Sequence, residues 1–442
     1  MRRITTDYSK NEFWKEADIP VGRKADFAHL VNAYPELKGH AIQGFGGAFT
    51  EASTYNYSRL GEVNKRAVIE GYFGEEGLRY NIGRTHIHSC DFALGNYIYI
   101  KEGDIELKSF DIAHDRENMI PMIKDAMEES SSKLYFLASP WSPPAFMKTN
   151  GDMNHGGKLK EEYYGAWAGY IVRYIQEYEK EGIKISYLTV QNEPMAVQAW
   201  DSCIYTPQEE ALFLRKYLAP ALAEDSLDHV KIFIWDHNKD EVYDRAKAVF
   251  ASQETLDEVA GVAVHWYSGD HFEALEAVKK RFPEKSLFFT EGCVEYSRFA
   301  DSSEVTKAEM YAHDMIGNLK AGVEAFFDWN LLLDDKGGPN HAGNFCAAPM
   351  MCTPEEDTIE KRLSYYYIGH FSRYIKRGAR KIETSRYTDK IETVGFLNPD
   401  GERVIILLNK SDSAAEVTLR ENGLGGQFTL QPHTISTICY GA

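Results

Sequence analysis

The chain has few of the features that mark disulfide-rich, membrane-spanning or nucleic-acid-binding proteins. Its 442 residues contain six cysteines without CxxC spacing, so neither a zinc knuckle nor a dense disulfide framework is predicted. No apolar run approaches the roughly 20 residues that span a bilayer. Lys and Arg total 49 against 67 Asp and Glu, a net charge of −18. We therefore expect no nucleic-acid partner and no membrane insertion.

The N-terminal segment lacks the pattern of a secretory signal. Arg2 and Arg3 stand near its start, but no apolar stretch of about 7 to 15 residues follows them. We expect a cytoplasmic protein with reduced cysteines, unless a leader has been removed. The composition, with 43% hydrophobic and 26% charged residues, is that of a folded globular protein. The 13% aromatic content fits a large core and equally a sugar-binding cleft.

Eight short apolar runs, each followed by an amphipathic segment, indicate the main fold. They begin at Ile42, Arg79, Lys133, Ile185, Lys231, Gly261, Ser286 and Glu324. Helical periodicity marks the intervening segments, and Thr206, Pro207 and Glu209 predict a capping box before one helix. Strands that alternate with helices predict an α/β fold, and eight of them favour a closed (β/α)8 TIM barrel, because closure removes both sheet edges.

The pattern changes after Tyr374 to short alternating runs separated by turn pairs such as Asp400-Gly401, which is typical of an all-β module. About five strands make a small sheet that needs a partner, so we expect the N-terminal residues to complete it. The predicted organisation is a catalytic barrel over residues 36–374 and an appended all-β sandwich domain built from both termini, residues 1–35 plus 375–442.

The active site of such a barrel lies at the C-terminal ends of its strands. Two glutamates there, Glu193 and Glu291, each follow an apolar strand, where an unpaired carboxylate is costly unless a site uses it. Two carboxylates across a barrel mouth suit glycoside hydrolysis, and retention requires them about 5 to 5.5 Å apart. The alternative is that each caps a helix or pairs with an arginine. Flanking Asn, Trp and Tyr residues favour catalysis.

A set of motifs resembles a known enzyme family. The motifs are QGFGGAFTEA, RYNIGRTHIHSCDF, LASPWSPPAFMKTNGDMN, VQNEP, VAVHWYSGDH, LFFTEGC, DWNLLLDDKGGPNHAGN and YYYIGHFSRYI, in this order from about residue 43 to residue 375. Together they resemble those of glycoside hydrolase family 30, in its glucosylceramidase-like branch. The resemblance implies a retaining β-glycosidase with a barrel and a side β-domain, and it supplies no metal and no cofactor.

The resemblance also implies roles for individual residues. Glu193 would be the acid/base, Glu291 the nucleophile, and Asn192 a ligand of the sugar 2-hydroxyl. The residues implied to line the pocket for the nonreducing sugar are Asp91, Trp141, Trp329 and Asn344, and those implied to surround the nucleophile are Arg84, His265 and Tyr267. Core packing of the two tryptophans and a structural ion pair of the arginine are the alternatives. Gly46 and Gly47 are expected to form a tight backbone turn.

A metal-dependent reading of the histidines is weaker. His86 and His88 form an HxH pair that, with His237, His265 and Asp328 on later strands, resembles the ligands of amidohydrolases. That arrangement needs HxH on the first strand and usually Lys on the fourth, whereas here HxH is on the second strand and the fourth carries Asn-Glu. We therefore predict no metal site, and expect His86 and His88 to be hydrogen-bonded groups beside the pocket.

Two further points stay open in the sequence. Asp152, Asn154 and His155 lie in a polar loop that contacts either substrate or solvent. A non-enzymatic sugar-binding barrel is disfavoured because both carboxylates are present.

The predicted function is therefore hydrolysis of terminal β-linked glucose from a β-glucoside or β-glucan, by double displacement through a covalent glycosyl-enzyme. An endo-β-1,6-glucanase and a β-xylosidase are the alternatives within the family. The leaving-group site is expected in residues 195–205, whose sequence does not identify the aglycone.

Overall fold

The computed structural model describes residues 1–22 and 29–441, so residues 23–28 and 442 of the predicted side domain lie outside the described residues. The strands are β1 (Arg2–Asp7), β2 (Glu12–Asp18), β3 (Val21–Gly22), β4 (His29–Ala41), β5 (Gly44–Ala48), β6 (Ile82–Ile87), β7 (Tyr135–Pro140), β8 (Ile185–Thr189), β9 (Lys231–Asn238), β10 (Val259–His265), β11 (Ser286–Glu291), β12 (Val294–Glu295), β13 (Val323–Asn330), β14 (Leu332–Asp334), β15 (Cys346–Ala347), β16 (Met350–Thr353), β17 (Thr358–Lys361), β18 (Arg380–Arg386), β19 (Ile391–Leu397), β20 (Arg403–Asn409), β21 (Ala415–Glu421), β22 (Leu424–Leu430) and β23 (Thr434–Tyr440).

The helices are α1 (Glu51–Ser58), α2 (Glu62–Phe73), α3 (Ala113–Glu117), α4 (Met119–Glu129), α5 (Tyr164–Lys180), α6 (Pro207–Phe213), α7 (Ala219–Glu224), α8 (Val242–Val249), α9 (Gln253–Glu258), α10 (Phe272–Arg281), α11 (Tyr296–Phe299), α12 (Glu304–Ala321) and α13 (Leu363–Ser372). None of these helices is both long enough and apolar enough to cross a membrane, a finding limited to the described part of the chain.

The predicted TIM barrel is confirmed. Strands β5, β6, β7, β8, β9, β10, β11 and β13 close into a barrel whose last strand pairs with the first, all in parallel, and they coincide with the eight apolar runs. Alternate side chains fill the interior, among them Tyr187, Phe233 and Phe288. The capping box is also present, since the Thr206 side chain accepts a hydrogen bond from the Glu209 N–H and the Glu209 carboxylate accepts one from the Thr206 N–H.

Gly46 and Gly47 lie inside β5, so the turn predicted at these positions is wrong. A Cβ atom on Gly46 would lie 1.9 Å from the carbonyl oxygen of Ile82 on β6, and one on Gly47 would lie 2.8 Å from Leu331 Cδ2. The two glycines therefore allow a close approach of neighbouring chain segments within the barrel wall, which any side chain at Gly46 would prevent.

The second sheet is built from both ends of the chain, as predicted. Within the described ranges it has ten strands in the order β2-β1-β23-β20-β19-β18-β4-β21-β22-β3. Strands β18 to β23 follow Tyr374, one strand more than expected, and the Asp400-Gly401 turn joins β19 to β20. Strand β4 continues to Ala41, past the boundary predicted between residues 35 and 36, because Ala41 pairs with Arg380 of β18.

The sheet encloses a core of its own and packs its other face on the barrel. Its own core includes Val31, Ile382, Ile405, Leu419 and Ile438. Residues that alternate with these along the strands, such as Ile406 and Ile435, belong to the main core that includes the barrel helices. His370 of α13 joins the two parts, since its ring nitrogens lie 2.8 Å from Thr437 Oγ1 and 2.9 Å from Thr6 Oγ1.

Two histidines form a charged junction between α12 and the sheet. His313 of α12 lies 3.0 Å from Asp270 and 2.8 Å from Glu392 of β19. His433, which precedes β23, lies 3.0 Å from Glu309 of α12 and 3.0 Å from Asp412. The hydrogen bond with Glu392 raises the pKa of His313, and those with Asp412 and Glu309 raise the pKa of His433. The Lys410 ammonium group contacts both His313 and Glu392.

Candidate active site

A cavity of about 250 Å³ opens at the C-terminal ends of the barrel strands. The sequence-predicted residues that line it are Asp91, Trp141, Asn192, Glu193, Tyr267, Glu291, Trp329 and Asn344. Arg84 and His265 are fully buried behind the wall. The lining also includes Gln198 and Trp200 from the predicted leaving-group segment, and Asn238, Cys293 and Glu295, which the sequence analysis did not identify.

Glu291 ends β11, and both of its carboxylate oxygens are held. Arg84 Nη1 donates to Oε2 over 2.6 Å, and the Tyr267 hydroxyl donates to Oε1 over 3.0 Å. Burial raises the pKa of the Glu291 carboxyl, and the positive charges of His265 and Arg84 offset this effect only in part. The side chain is thereby fixed in direction at the cavity wall.

Arg84, on β6, is the central cation of the site. Besides Glu291, its guanidinium donates to Asn192 Oδ1 over 2.9 Å and to Asp236 Oδ2 over 3.0 Å. It also lies 4.8 Å from the ring centroid of Trp141, a favourable position over an aromatic face. Its planar set of donors can bind several acceptors at once in fixed directions, so Arg84 both balances buried charge and aligns the groups around the cavity.

Asp236 is a buried carboxylate that accepts hydrogen bonds from several residues of the site, and no role was predicted for it from the sequence. Its carboxylate accepts hydrogen bonds from Thr290 over 2.6 Å and Thr189 over 2.7 Å, in addition to Arg84. Burial raises the pKa of Asp236, but Arg84 and His265 outweigh that effect and hold the pKa well below its usual range. We conclude that Asp236 stays ionised.

A β-bulge in β9 explains why this role is hard to predict. Ala263 pairs with Trp235 and the next residue, Val264, pairs with His237, so Asp236 is the extra residue, with a φ of 51°. The bulge breaks the alternation of side chains along the strand. As a result Asp236 points into the charged network while His237 lines the cavity.

Glu193 follows β8 and is contacted by two imidazoles. His265 Nδ1 lies 3.2 Å from Glu193 Oε1, and His237 Nδ1 lies 3.5 Å from the same oxygen. The other ring nitrogen of His265 lies 3.0 Å from Asp236 Oδ1. The backbone of Glu193 has a φ of 47°, and its N–H donates to the Asp236 carbonyl oxygen over 2.9 Å.

Between Glu193 and His265, the proton is held by the His265 imidazole. Burial raises the pKa of the Glu193 carboxyl, but the hydrogen bonds from His237 and His265 outweigh burial and lower it. Burial lowers the pKa of His265, but the charge of Glu291 and the hydrogen bonds with Asp236 and Glu193 outweigh it and raise the pKa to about 9. His265 therefore holds a proton 3.2 Å from a Glu193 oxygen.

The opposite wall combines flat aromatic faces with polar groups. Trp141 and Trp329 stack with ring centroids 5.3 Å apart and an interplanar angle of 18°. Asn344 Nδ2 donates to Asp91 Oδ2 over 3.2 Å, and Asp91 Oδ1 has no hydrogen-bond partner in residues 1–22 and 29–441. Burial and the charges of Glu291 and Glu193 raise the pKa of Asp91 well above its usual range. Such a wall suits a polyhydroxylated ring with apolar faces.

The HxH pair lies outside the cavity wall. His86 Nε2 accepts a hydrogen bond from the Glu51 N–H over 2.9 Å, and His88 Nδ1 lies 2.8 Å from the Tyr170 hydroxyl. Burial lowers the pKa of both imidazoles, and that of His88 to about 4. Both histidines thus have structural hydrogen bonds beside the site.

The ligand set of an amidohydrolase is not assembled in the described residues. In that part of the chain the one group of three metal-binding side chains is Glu193, His237 and His265. Asp328 instead accepts a hydrogen bond from Tyr311 over 2.8 Å. In the polar loop, Asp152 and His155 pair with each other over 3.0 Å, and neither lines the cavity.

Comparison with known families identifies both parts of the chain. The model of the glycosyl hydrolase family 30 TIM-barrel domain matches residues 42–375. The model of the glycosyl hydrolase family 30 beta sandwich domain matches residues 378–438.

Individual relatives span nearly the whole chain. Lysosomal acid glucosylceramidase of Mus musculus is 34% identical over 422 residues, which cover 91% of this chain and 81% of the mouse protein. Endo-1,6-beta-D-glucanase of Neurospora crassa is 27% identical and covers 90% of this chain and 85% of its own length. The crystal structure of SrfJ from Salmonella typhimurium matches with a TM-score of 0.97 and 40% identity, covering 100% of this chain and 99% of that one.

Proposed function

Because this chain belongs to glycosyl hydrolase family 30 and hydrolyses O-glycosyl bonds, we propose that it is a retaining β-glycosidase that releases terminal β-linked glucose. The observation that carries the proposal is the pair of carboxylates, Glu193 and Glu291, that face one cavity from the ends of β8 and β11. Glu291 acts as the nucleophile and Glu193 as the acid/base.

The first step is attack of Glu291 on the anomeric carbon. Arg84 and Tyr267 each hold one of its oxygens, so the carboxylate needs no reorientation before it attacks. The bond from the anomeric carbon to the aglycone oxygen breaks, a glycosyl ester forms on Glu291, and the departing oxygen takes a proton from Glu193. The His265 N–H, 3.2 Å from Glu193, is the adjacent source of that proton.

The second step reverses the roles. Glu193 takes a proton from a water molecule, the resulting hydroxide attacks the anomeric carbon, and the ester bond to Glu291 breaks. Two inversions at the same carbon give net retention of configuration. Asn192, whose side-chain oxygen is fixed by Arg84 over 2.9 Å, keeps its amide N–H groups for the sugar 2-hydroxyl.

The size and polarity of the cavity favour one terminal sugar. Its volume of about 250 Å³ lies below the roughly 300–1,000 Å³ of pockets that enclose drug-sized ligands, so it suits a single ring better than a chain of rings. Asp91 Oδ1, unpartnered in the described ranges, is an acceptor for sugar hydroxyls. Trp141 and Trp329 supply the apolar surface beside the ring.

Three exposed apolar side chains that lie close in sequence to cavity residues, Met195, Val197 and Phe345, support an apolar aglycone over a glucan. We call them the apolar rim. These side chains are exposed by 46%, 63% and 39%, respectively. Met195 and Val197 follow Glu193 in the segment that contributes Trp200 to the cavity, and Phe345 follows Asn344. Exposed apolar groups beside a polar pocket favour binding of an alkyl group. The glucosylceramidase type is therefore preferred to an endo-β-1,6-glucanase.

A substrate panel with stereochemical analysis tests the proposal. The panel contains an aryl β-glucoside, an aryl β-xyloside, glucosylceramide and β-1,6-glucan, and proton NMR follows the first anomer released. We expect the two glucosides to be cleaved with the β-anomer of glucose appearing first. An α-anomer first would exclude retention. Oligosaccharides from β-1,6-glucan without glucose release, or a preference for the xyloside, would establish the corresponding alternative.

A further inference from the structure

We propose that Glu193, His237 and His265 form a binding site for a divalent transition-metal ion, with zinc as the preferred occupant, and that the bound ion inhibits the enzyme. The three side chains offer one carboxylate oxygen and two imidazole nitrogens, all within 4.8 Å of one another. Binding of the ion stands on this geometry alone. The inhibitory effect rests on the proposed role of Glu193.

The distances fit tetrahedral coordination. Zinc binds imidazole nitrogen and carboxylate oxygen at about 2.0–2.2 Å, so neighbouring ligand atoms of a tetrahedron lie about 3.3–3.5 Å apart. Glu193 Oε1 lies 3.2 Å from His265 Nδ1 and 3.5 Å from His237 Nδ1. The third pair of ligand atoms, on the two imidazoles, lies within 4.8 Å, so the two rings would move together on binding the ion.

His237 has a nitrogen available for this purpose. Its Nδ1 atom is buried and only weakly bonded, since it lies 3.5 Å from Glu193 Oε1 and makes no better hydrogen bond in the described parts of the chain. An unsatisfied buried polar atom costs free energy, and a metal bond removes that cost. The ring lies beside Trp235, with centroids 5.0 Å apart, and Nδ1 is 3.5 Å from Glu193 Oε1.

His265 has the outer support that metal-binding histidines usually have. Its second nitrogen, Nε2, lies 3.0 Å from Asp236 Oδ1, and Asp236 is fixed by Thr290 and Thr189. A carboxylate behind a ligating imidazole orients the ring and strengthens it as a donor. The absence of a metal site was predicted from the mismatch with the amidohydrolase pattern, and the sequence does not reveal the bulge that brings His237 beside His265 and Glu193.

An ion can reach the site through the sugar pocket. Glu193 and His237 line the cavity, with side chains 13% and 14% exposed, and the remaining coordination position faces that space. The carboxylates of Glu193, Glu291, Glu295 and Asp236 outnumber the cationic groups of Arg84 and His265 around this space, so the local charge favours a cation. Two nitrogens and one oxygen select zinc or copper over magnesium and calcium.

A metal ion bound at this site blocks catalysis because it occupies the acid/base, Glu193. A carboxylate bound to the ion can neither deliver a proton to the leaving oxygen nor take one from water, and the ion occupies the position of the leaving oxygen. Binding of the ion displaces the proton that His265 holds. The enzyme therefore needs no metal and is switched off by one.

The test compares His237→Gln with a matched control, His229→Gln. His229 is a partly exposed histidine that pairs with Glu179 over 2.9 Å and does not line the cavity. Zinc chloride binding is measured by isothermal titration calorimetry on metal-free protein, and inhibition is measured on an aryl β-glucoside relative to the metal-free activity of each variant.

We expect one zinc ion per chain in the wild type and in His229→Gln, and at least tenfold weaker binding and inhibition in His237→Gln. Equal zinc affinity in the wild type and both variants would show that His237 does not bind the ion and would overturn the proposed site. Zinc bound as expected without loss of activity would overturn the inhibitory role. If His237→Gln does not fold, His237→Asn replaces it in the same comparison. Because calorimetry needs no substrate, an incorrect substrate assignment leaves the binding result interpretable.

Discussion

Arg84 and Glu291 form a buried ion pair in which Nη1 lies 2.6 Å from Oε2. The guanidinium is held from behind by Asp236 and Asn192. Removing the Glu291 carboxylate therefore leaves a cationic, anion-sized space beside the anomeric carbon. This relationship gives a direct test of the nucleophile.

Glu291→Ala should lower turnover by about 10⁴-fold or more, the scale on which catalytic nucleophiles act. Sodium azide should restore part of the activity, because azide enters the space beside Arg84 and attacks in a single inversion. The product from a β-glucoside would be the α-glucosyl azide, identified by NMR. The control is Glu295→Ala, which removes another of the four carboxylates at the cavity and should keep most activity without azide. A β-configured azide would contradict the assignment.

Glu193→Ala should affect substrates according to their leaving group. A dinitrophenyl β-glucoside needs little proton donation, so its first step should be spared and a burst of released phenol should precede slow deglycosylation. A methyl or octyl β-glucoside should lose about 10²- to 10⁴-fold in kcat/KM, the usual contribution of general acid catalysis. Stopped-flow absorbance measures the burst. Equal losses with both classes of substrate would assign the acid to another group, with His265 as the next candidate.

The apolar rim should determine the preference for long alkyl aglycones. Val197→Ser should lower the ratio of kcat/KM for octyl over methyl β-glucoside by about three- to tenfold, since partial burial of one such side chain contributes about 1 kcal/mol. Val63→Ser is the matched control, because Val63 is 83% exposed on α2, which contributes nothing to the cavity. An unchanged ratio in Val197→Ser would remove the argument for an apolar aglycone.

Arg84→Met should destabilise the protein strongly. The change removes the guanidinium that pairs with the buried carboxylates of Glu291 and Asp236, and loss of one partner of a buried ion pair typically costs about 3–5 kcal/mol. The control is Arg66→Met, which removes an exposed pair with Glu70 at 3.8 Å and should change stability by at most about 1 kcal/mol. Urea unfolding monitored by tryptophan fluorescence compares the two. A similar small loss in both variants would show that Arg84 is not needed for charge balance.

The junction between α12 and the sheet should make stability depend on pH. His313 and His433 have raised folded-state pKa values, so their contribution is fully present below the unfolded value of 6.5 and is lost as pH rises through the folded values. The double variant His313→Gln/His433→Gln should therefore lower Tm more at pH 6 than at pH 8.5. Differential scanning calorimetry at both pH values measures the difference, and an equal or larger loss at pH 8.5 would contradict it.

Chelation should not lower activity. The proposed double displacement uses two carboxylates and no Lewis acid, so protein dialysed against EDTA should keep its full kcat on an aryl β-glucoside. Protein that carries zinc after purification should gain activity on the same treatment. If EDTA abolished activity and added zinc restored it, the alternative hypothesis of a metal-dependent amidohydrolase would be favoured.

The barrel could be predicted from sequence because each of its strands is a short apolar run between amphipathic helices. A parallel strand that is buried on both faces needs apolar side chains on both, so it appears in the sequence as a continuous apolar run. The same pattern predicts where the strands end, and the residues at those ends include Glu193, Glu291 and Asn192, which line the cavity.

The hydrogen-bond network around Asp236 could not be predicted in the same way. Its position depends on a bulge in β9, a local insertion that a hydrophobic pattern does not reveal. The turn predicted at Gly46 and Gly47 followed from the frequency of glycine in turns, whereas these glycines lie in a strand that Ile82 approaches closely at Gly46 and Leu331 at Gly47. In both cases the missing information is a contact between distant parts of the chain.

The pairing of β1 with β23 has a consequence for biosynthesis. Strand β1 has β2 and β23 as its two neighbours in the sheet, and β23 contains residues 434–440. A nascent chain on the ribosome exposes β1 hundreds of residues before its second partner is made, while all eight barrel strands emerge in between. The sheet is therefore completed only after the barrel strands have been made, and until β23 is available β1 has β2 as its partner on one edge while its other edge is unpaired.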